Sequence, residues 1–127
     1  MGKIAIESVD APKPGGAYSQ GIVAGPLVFT AGMGPNDAAS GSIVGTTIEA
    51  QTEKTLQNLE AILGCRGLGR DAVVKVTVHL QNLDRDFAGF DSAYRAFFRE
   101  PFPVRTTVGS DLDGILIEID CIAYADV

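Results

Sequence analysis

The chain has 127 residues, of which 46% are hydrophobic and 20% are charged, and its formal net charge at pH 7 is −6. This length fits one domain over residues 1–127 with a core of moderate size. Its ten Lys and Arg residues are scattered, without the basic stripe of a nucleic-acid-binding protein or the basic amphipathic helix of a membrane-surface protein. These totals favour a small-molecule ligand over nucleic acid or a membrane.

The N-terminal residues MGKIAIESVD show no signal-peptide pattern, and no apolar run approaches the length of about 20 residues that spans a bilayer. We therefore expect a cytoplasmic protein. The two cysteines, Cys65 and Cys121, lack metal-ligand spacing, and a disulfide is not expected in the cytoplasm. Because His79 is the one histidine, a multi-His metal centre is ruled out and we expect no metal.

The first third of the chain predicts strands and loops. Alternating apolar residues over Lys3–Val9 predict a strand, and the Pro- and Gly-rich residues 10–21 interrupt regular structure. Residues 22–35 predict two strands joined by a turn at Gly25 and Pro26. A polar loop follows over Asn36–Gly45.

A helix is predicted next, because Thr46 and Glu49 have capping-box spacing. Its apolar residues recur at helical spacing and should face the core, and three glycines end it. The apolar residues are Ile48, Leu56, Leu59, Ile62 and Leu63, and the glycines are Gly64, Gly67 and Gly69.

The second half predicts a strand over Ala72–Leu80 and a helix over roughly Asp86–Arg99, which Pro101 and Pro103 end. In the strand, Val74, Val76, Val78 and Leu80 should face one way and Lys75, Thr77 and His79 the other. The apolar stripe of the helix consists of Phe87, Phe90, Tyr94, Phe97 and Phe98.

Residues Phe102–Asp120 predict two closing strands joined by a tight loop, as a hairpin. The first carries Arg105 and the second Glu118, and antiparallel pairing could bring these charges close together. Two interpretations stay open: a structural ion pair that seals an oligomer interface, or a binding site. In a site, the guanidinium would hold a substrate carboxylate and the glutamate would move a proton to or from water.

The last strand is apolar on both sides: Ile115, Ile117, Ile119, Cys121 and Ala123 face one way, and Leu116, Ile122 and Tyr124 lie among the residues that face the other. The order of elements predicts an α+β fold with two helices packed on one face of a mixed sheet. The second face then needs another cover, and we expect a symmetric homo-oligomer to supply it.

The chain resembles the Rid family of reactive intermediate deaminases, also known as the L-PSP endoribonuclease family. Six motifs in order carry the resemblance over nearly the whole chain: GAYSQG (Gly16–Gly21), TAGMGP (Thr30–Pro35), AQTEKTLQNLEAIL, FDSAYRAFF (Phe90–Phe98), FPVRTTV (Phe102–Val108) and ILIEIDCIA (Ile115–Ala123). The resemblance implies a homotrimer of chorismate-mutase-like subunits with active sites between neighbours. It also implies cofactor-independent hydrolysis of 2-imino acids, such as those formed from 2-aminoacrylate, to 2-oxo acids and ammonia.

Carried over by motif, Arg105 matches the arginine that grips the substrate carboxylate, and Glu118 the carboxylate that positions or activates water. Tyr18 matches a tyrosine at the rim of the site, and the backbone of Gly32 is expected to line the pocket. Tyr94 matches an aromatic residue close to the site. Without the motifs, Tyr18 and Tyr94 would be read as packing residues.

The chain departs from the family pattern at four positions. Thr107 replaces a cysteine two residues after the arginine, so a cysteine nucleophile is excluded there, although Thr107 can still contribute its backbone N–H or hydroxyl to binding. Asp91 replaces an asparagine and adds a negative charge if it faces the site. Ala17 replaces the usual proline, and Met33 stands where glutamine is common.

Two other functions stay open beside the deaminase. A ligand-binding or chaperone-like trimer would bind 2-oxo acids without turnover, and the replacement at Thr107 keeps this alternative in view. An endoribonuclease is disfavoured by the net charge of −6, the scattered basic residues and the single histidine. His79 and Asp120 are expected to be structural, and Cys121 to be a small core residue.

Overall fold

The structure, a computed structural model, describes residues 2–125 of the chain. Within these residues, six strands and two α-helices follow one another in the predicted order, with a short 3₁₀ turn before the fourth strand. The elements are β1 Ile4–Ile6, β2 Gly21–Ala24, β3 Leu27–Thr30, α1 Ile48–Gly64, β4 Val73–Leu80, α2 Leu83–Phe97, β5 Val104–Gly109 and β6 Ile117–Tyr124. No helix in this part of the chain is both long enough and apolar enough to cross a membrane.

The strands form one sheet in the order β1-β2-β3-β6-β4-β5. Four of the five pairings are antiparallel, and β4 pairs with β5 in parallel. The parallel pair follows from α2, because parallel neighbours need a crossover and a helix supplies it. Both helices pack on the same face of the sheet, α1 against β6 and α2 against β4. The predicted α+β fold class is confirmed.

The predicted hairpin between the last two strands is wrong. Strand β4 lies between β5 and β6 and pairs with both, so the two strands never meet. A period-2 pattern shows that a segment is a strand, but it carries no information on the strand's neighbour. Residues 110–116 therefore pass across the end of β4, where the backbone N–H of Ser110 donates to the Leu80 carbonyl.

Helix α1 begins one residue later than the capping-box pattern predicts. Thr47, not Thr46, is the N-cap, and its hydroxyl accepts a hydrogen bond from the Ala50 backbone N–H at 3.1 Å. Both threonines have a side chain that can cap a helix, so the first buried apolar residue determines which of them does. Ile48 is buried immediately after Thr47, and Thr47 is therefore the cap. The predicted apolar face is confirmed, since Ile48, Leu56, Leu59, Ile62 and Leu63 are all buried.

Two further predictions need local corrections. Helix α2 spans Leu83–Phe97 rather than Asp86–Arg99, and Phe87 at the edge of its predicted stripe is 40% exposed. In β4, the predicted alternation fails at one end because a β-bulge between Val73 and Lys75 shifts the register against β6. Val73 is consequently buried, and Val74 is exposed instead.

The face of the sheet opposite the helices remains open to solvent in the single chain. Residues directly opposite each other in a ladder point to the same face, and the register places four large apolar residues there. They are Phe29, Val104, Val108 and Tyr124, each more than one third exposed. In β6 the predicted alternation is confirmed for Ile117, Ile119, Cys121 and Ala123, which are buried beneath the helices. Ile115, predicted to belong to the same face, precedes the strand and is only half-buried.

Candidate functional site

Arg105 lies on the helix-covered face at the edge of the sheet. In the strand ladder, Arg105 pairs with Val76 of β4, and Val76 pairs with Cys121 of β6. Both of these side chains are buried beneath the helices, so Arg105 points to the same face. The guanidinium carbon lies 4.6 Å from the ring centre of Tyr94 and 5.0 Å from that of Phe90. Stacking on aromatic faces allows a permanent charge to be held with 21% of its side chain exposed.

One carboxylate holds Arg105 in this position. Its Nη1 donates to Oδ1 of Asp91 at 2.8 Å, and the other oxygen of Asp91 accepts from Nη2 of Arg95 at 3.2 Å. Because Arg105 donates this bond, the pKa of the Asp91 carboxyl lies below its usual value, despite partial burial that raises it. Asp91 is therefore a carboxylate at neutral pH. No acceptor among residues 2–125 occupies Nε or Nη2 of Arg105.

A pocket of about 270 Å³ opens beside this guanidinium. Tyr94, Arg95, Phe102, Pro103 and Arg105 line it. Tyr94 is 3% exposed, its buried hydroxyl has no hydrogen-bond partner among the described residues, and burial raises its pKa to about 12. It is therefore a neutral phenol at physiological pH. The pocket thus combines a cation with aromatic walls, which suits a small organic acid.

Thr107 follows Arg105 on the same face of β5, opposite the buried Val78, and it is half-buried. The two side chains therefore share a face of the sheet. The strand places the hydroxyl of Thr107 one pleat further along the same face as the guanidinium.

Glu118 lies on the opposite, uncovered face of the sheet. It stands opposite His79 in β4, and His79 stands opposite Val108 in β5. The Glu118 carboxylate lies directly against the backbone of Gly32: a β-carbon on that glycine would be 2.6 Å from its Oε2. No side-chain or backbone donor within residues 2–125 makes a hydrogen bond to the carboxylate, and it faces a pocket, so it can bind water or a ligand.

A second pocket, of about 510 Å³, surrounds Glu118. Tyr18 and Gly32 also line it, so three of the residues matched by motif meet there. Tyr18 is half exposed, and its hydroxyl accepts a hydrogen bond from the Gly15 backbone N–H at 3.0 Å. Gly32 lies just before Met33, whose backbone exchanges two hydrogen bonds with Ile119, so the segment that follows β3 stays joined to β6.

The structure separates the predicted site residues into two groups. Arg105, Tyr94 and Thr107 belong to the helix-covered face, and we call them the anchor half. Tyr18, Gly32 and Glu118 line the pocket on the uncovered face, and we call them the water half. The expectation that one chain brings Arg105 close to Glu118 is wrong, because the two strands are not neighbours and the side chains point to opposite faces.

Other polar residues adjoin the two halves. His79 Nδ1 lies 2.7 Å from the Ser110 hydroxyl on the same face as Glu118, and burial raises the pKa of the neighbouring Asp120 carboxyl.

Arg95 was missed by sequence reasoning, although its spacing of four residues from Asp91 places the two on one helix face. Within residues 2–125, no three His, Cys, Asp or Glu residues are grouped so as to hold a metal ion.

Comparison with known proteins places the chain in one family. Residues 8–125 match the family model described as Endoribonuclease L-PSP. A RutC family protein from Pyrococcus horikoshii is 41% identical over 126 residues, which is 98% of this chain and 99% of that protein.

Solved structures show the same fold. The structure of E. coli TdcF with bound serine is 32% identical and has a TM-score of 0.89, with 97% of this chain and 99% of that chain covered. RidA from the Antarctic bacterium Psychrobacter is 30% identical with a TM-score of 0.89, over 95% of this chain and 98% of that one.

Proposed function

The chain belongs to the L-PSP endoribonuclease family, which includes the Rid and RutC proteins, and we propose that it hydrolyses 2-imino acids to 2-oxo acids and ammonia. The observation that carries the proposal is the environment of Arg105. A half-buried guanidinium, packed on aromatic rings, keeps one edge without a partner among residues 2–125 beside a pocket of about 270 Å³. That edge fits a carboxylate, which every substrate of this class carries.

In the proposed reaction, Arg105 binds the substrate carboxylate through Nε and Nη2. The fixed guanidinium holds the imine carbon in one place, and this positioning supplies much of the rate gain. Tyr94 provides the neutral aromatic wall of the pocket. Thr107, on the same face, contributes its hydroxyl or backbone N–H to the bound acid.

Glu118 positions and activates the attacking water. The carboxylate takes a proton as the water oxygen attacks the carbon of the protonated imine, and it returns that proton to the nitrogen of the resulting carbinolamine. As the carbon–nitrogen bond breaks, ammonia leaves and the carboxylate takes the hydroxyl proton, so that the carbonyl group of the 2-oxo acid forms. That last proton passes to the ammonia, which leaves as ammonium, and Glu118 is again ionised. Gly32 gives the carboxylate room, and Tyr18 closes the rim of the pocket. No step needs a metal or an organic cofactor.

The two halves act together only if a second copy brings its water half to the anchor half of the first. The uncovered face supports such an assembly, because it exposes Phe29, Val104, Val108 and Tyr124. Burying this apolar surface against another copy contributes about 25 cal/mol per Å², which favours association. We propose a homotrimer with one composite site at each subunit boundary.

The ribonuclease activity in the family description is a weaker candidate for this chain. Its net charge of −6 opposes the approach of a polyanion. Several arginines are already paired with acidic residues: Arg70 binds Glu60, Arg99 binds Asp71 and Arg95 binds Asp91. Binding of 2-oxo acids without turnover is the second candidate, and the experiment below separates it from hydrolysis.

The test couples the protein to an enzyme that generates 2-imino acids and measures how fast the 2-oxo acid and ammonia form. Arg105→Ala should lower kcat/KM by about a thousandfold, since removing one member of a buried charged pair costs 2–5 kcal/mol. Glu118→Gln should lower kcat by about a hundredfold. Arg99→Ala is the matched control, because Arg99 also pairs with an aspartate but lies outside both halves. Rates unchanged in Arg105→Ala would refute the proposal, and ligand binding without acceleration by the wild type would favour the binding protein.

A further inference from the structure

The charges around Arg105 alternate in sign. Arg95, Asp91 and Arg105 form one connected row, in which each oxygen of the Asp91 carboxylate accepts one bond from a different arginine. A carboxylate oxygen has two lone pairs, so Asp91 retains capacity for further donors. Its side chain is 27% exposed beside two arginines that line the pocket, so that capacity is accessible from solvent.

Arg95 and Arg105 both line the pocket, and the Asp91 carboxylate borders it between them, so the pocket has a negative charge at its edge as well as two positive charges. A ligand carboxylate at the unoccupied edge of Arg105 lies next to the carboxylate of Asp91, because both bind the same planar guanidinium. Any group attached near the ligand carboxylate is then close to a negative charge. A cationic nitrogen is attracted there and donates hydrogen bonds, whereas a carbonyl oxygen is repelled.

We propose that Asp91 is a specificity-determining residue that makes the site select zwitterionic ligands, which carry a positive nitrogen beside the carboxylate, over simple 2-oxo acid anions. The inference rests on the proposed role of Arg105 as the carboxylate anchor. For the proposed reaction, the protonated imine is such a zwitterion and the 2-oxo acid product is not. Asp91 therefore favours binding of the substrate and release of the product.

The experiment measures dissociation constants by calorimetry for three ligands of similar size: L-alanine, L-lactate and pyruvate. In the wild type, L-alanine should bind about tenfold more tightly than L-lactate, because lactate replaces the ammonium with a neutral hydroxyl and loses one charge-assisted hydrogen bond. This comparison needs no variant, so it is independent of any folding defect. Equal affinity for the two ligands would overturn the proposal.

The variant Asp91→Asn gives effects of opposite sign on two ligands. It should weaken L-alanine binding about tenfold and strengthen pyruvate binding several-fold, because it removes a negative charge that attracts one ligand and repels the other. Asp71→Asn is the control: Asp71 also pairs with an arginine, outside the pocket, and the variant should change neither affinity. A change of the same direction for both ligands in Asp91→Asn would contradict the proposed selection.

Failure of this inference can be told apart from failure of the proposed function. If Arg105→Ala abolishes imine hydrolysis while Asp91→Asn leaves the alanine-to-pyruvate preference unchanged, only the role of Asp91 is wrong. If the alanine preference depends on both Arg105 and Asp91 but no imine is hydrolysed, the selection holds and the hydrolysis is wrong. If no ligand shows Arg105-dependent binding, both are wrong.

Discussion

The anchor half and the water half of the candidate site are built in different ways. Arg105 is held within one chain by side chains: rings of α2 lie beneath it, and Asp91 binds one of its nitrogens at 2.8 Å. Glu118 lies on the other face of the sheet against the bare backbone of Gly32, with no donor among residues 2–125. One half is thus complete in a single chain, and the other leaves its functional group free.

This difference follows from what each group does. A carboxylate anchor benefits from a fixed orientation, since rigid positioning reduces the entropy lost when the ligand binds. A carboxylate that transfers protons to and from water must keep its oxygens free of permanent donors, because hydrogen bonds to the charged form weaken it as a base. The opposite faces of one sheet provide both environments, and the proposed assembly then brings the two together.

The largest expected effect tests whether the halves come from different chains. Arg105→Ala and Glu118→Gln should each be nearly inactive alone. When they are mixed one to one, unfolded and refolded together, activity should return to about a quarter of the wild-type value, since a quarter of the boundaries then pair an intact anchor half with an intact water half. Imine hydrolysis measured before and after mixing gives the answer.

The control for this experiment is the double variant, with Arg105→Ala and Glu118→Gln in one chain, refolded with the wild type in the same ratio. A composite site gives about a quarter of full activity there as well, whereas a site contained in one chain gives about half. No recovery on mixing the single variants would show that each chain carries a complete site, contrary to the opposite faces seen here.

A smaller effect should separate binding from catalysis. Gly32→Ala would place a β-carbon 2.6 Å from Oε2 of Glu118, so the carboxylate must move. Misplacement of about 1 Å can cost a hundredfold in rate, so kcat should fall by up to that factor while binding of a 2-oxo acid at Arg105 stays unchanged. The measurement is kcat together with the dissociation constant of the product.

Gly64→Ala is the matched control, because nothing lies within 4 Å of the β-carbon it would add at the end of α1. It should leave both quantities as they are. If Gly32→Ala weakened ligand binding as much as turnover, the distinction between an anchor half and a water half would fail.

Much of the fold could be predicted from the chain, because it depends on local patterns. The apolar spacing in α1 and the alternation in β6 each identify a buried face, and both are confirmed. The order of strands could not be predicted in this way. Residues 104–120 look like a hairpin in isolation, and only the placement of α2 as a crossover from β4 to β5 puts β4 between the two strands.

The site, too, could be predicted from the sequence only residue by residue, and not as a spatial arrangement. The motifs single out Arg105 and Glu118 as individual residues, but their relation depends on the register, which places them on opposite faces. The pairing of Asp91 with Arg105 was also out of reach, because it joins a helix to a strand 14 residues further on. Only the Asp91–Arg95 contact, at helical spacing, has a local signal.

The smallest expected effect concerns the stability of the anchor half. The bond from Arg105 lowers the pKa of Asp91 in the folded chain, below the value of about 3.9 for an unperturbed aspartate. A lowered carboxyl pKa stabilises the fold fully above the unfolded pKa and loses that contribution as the pH falls through the folded one. The free energy of unfolding should therefore differ between wild type and Asp91→Asn by about 0.5–1 kcal/mol at pH 6, a value reduced for solvent screening of this partly exposed pair. Urea titrations at fixed protein concentration should show this gap closing below about pH 4. A gap that stayed constant down to pH 2.5 would mean that Asp91 stabilises Arg105 through packing rather than through its charge.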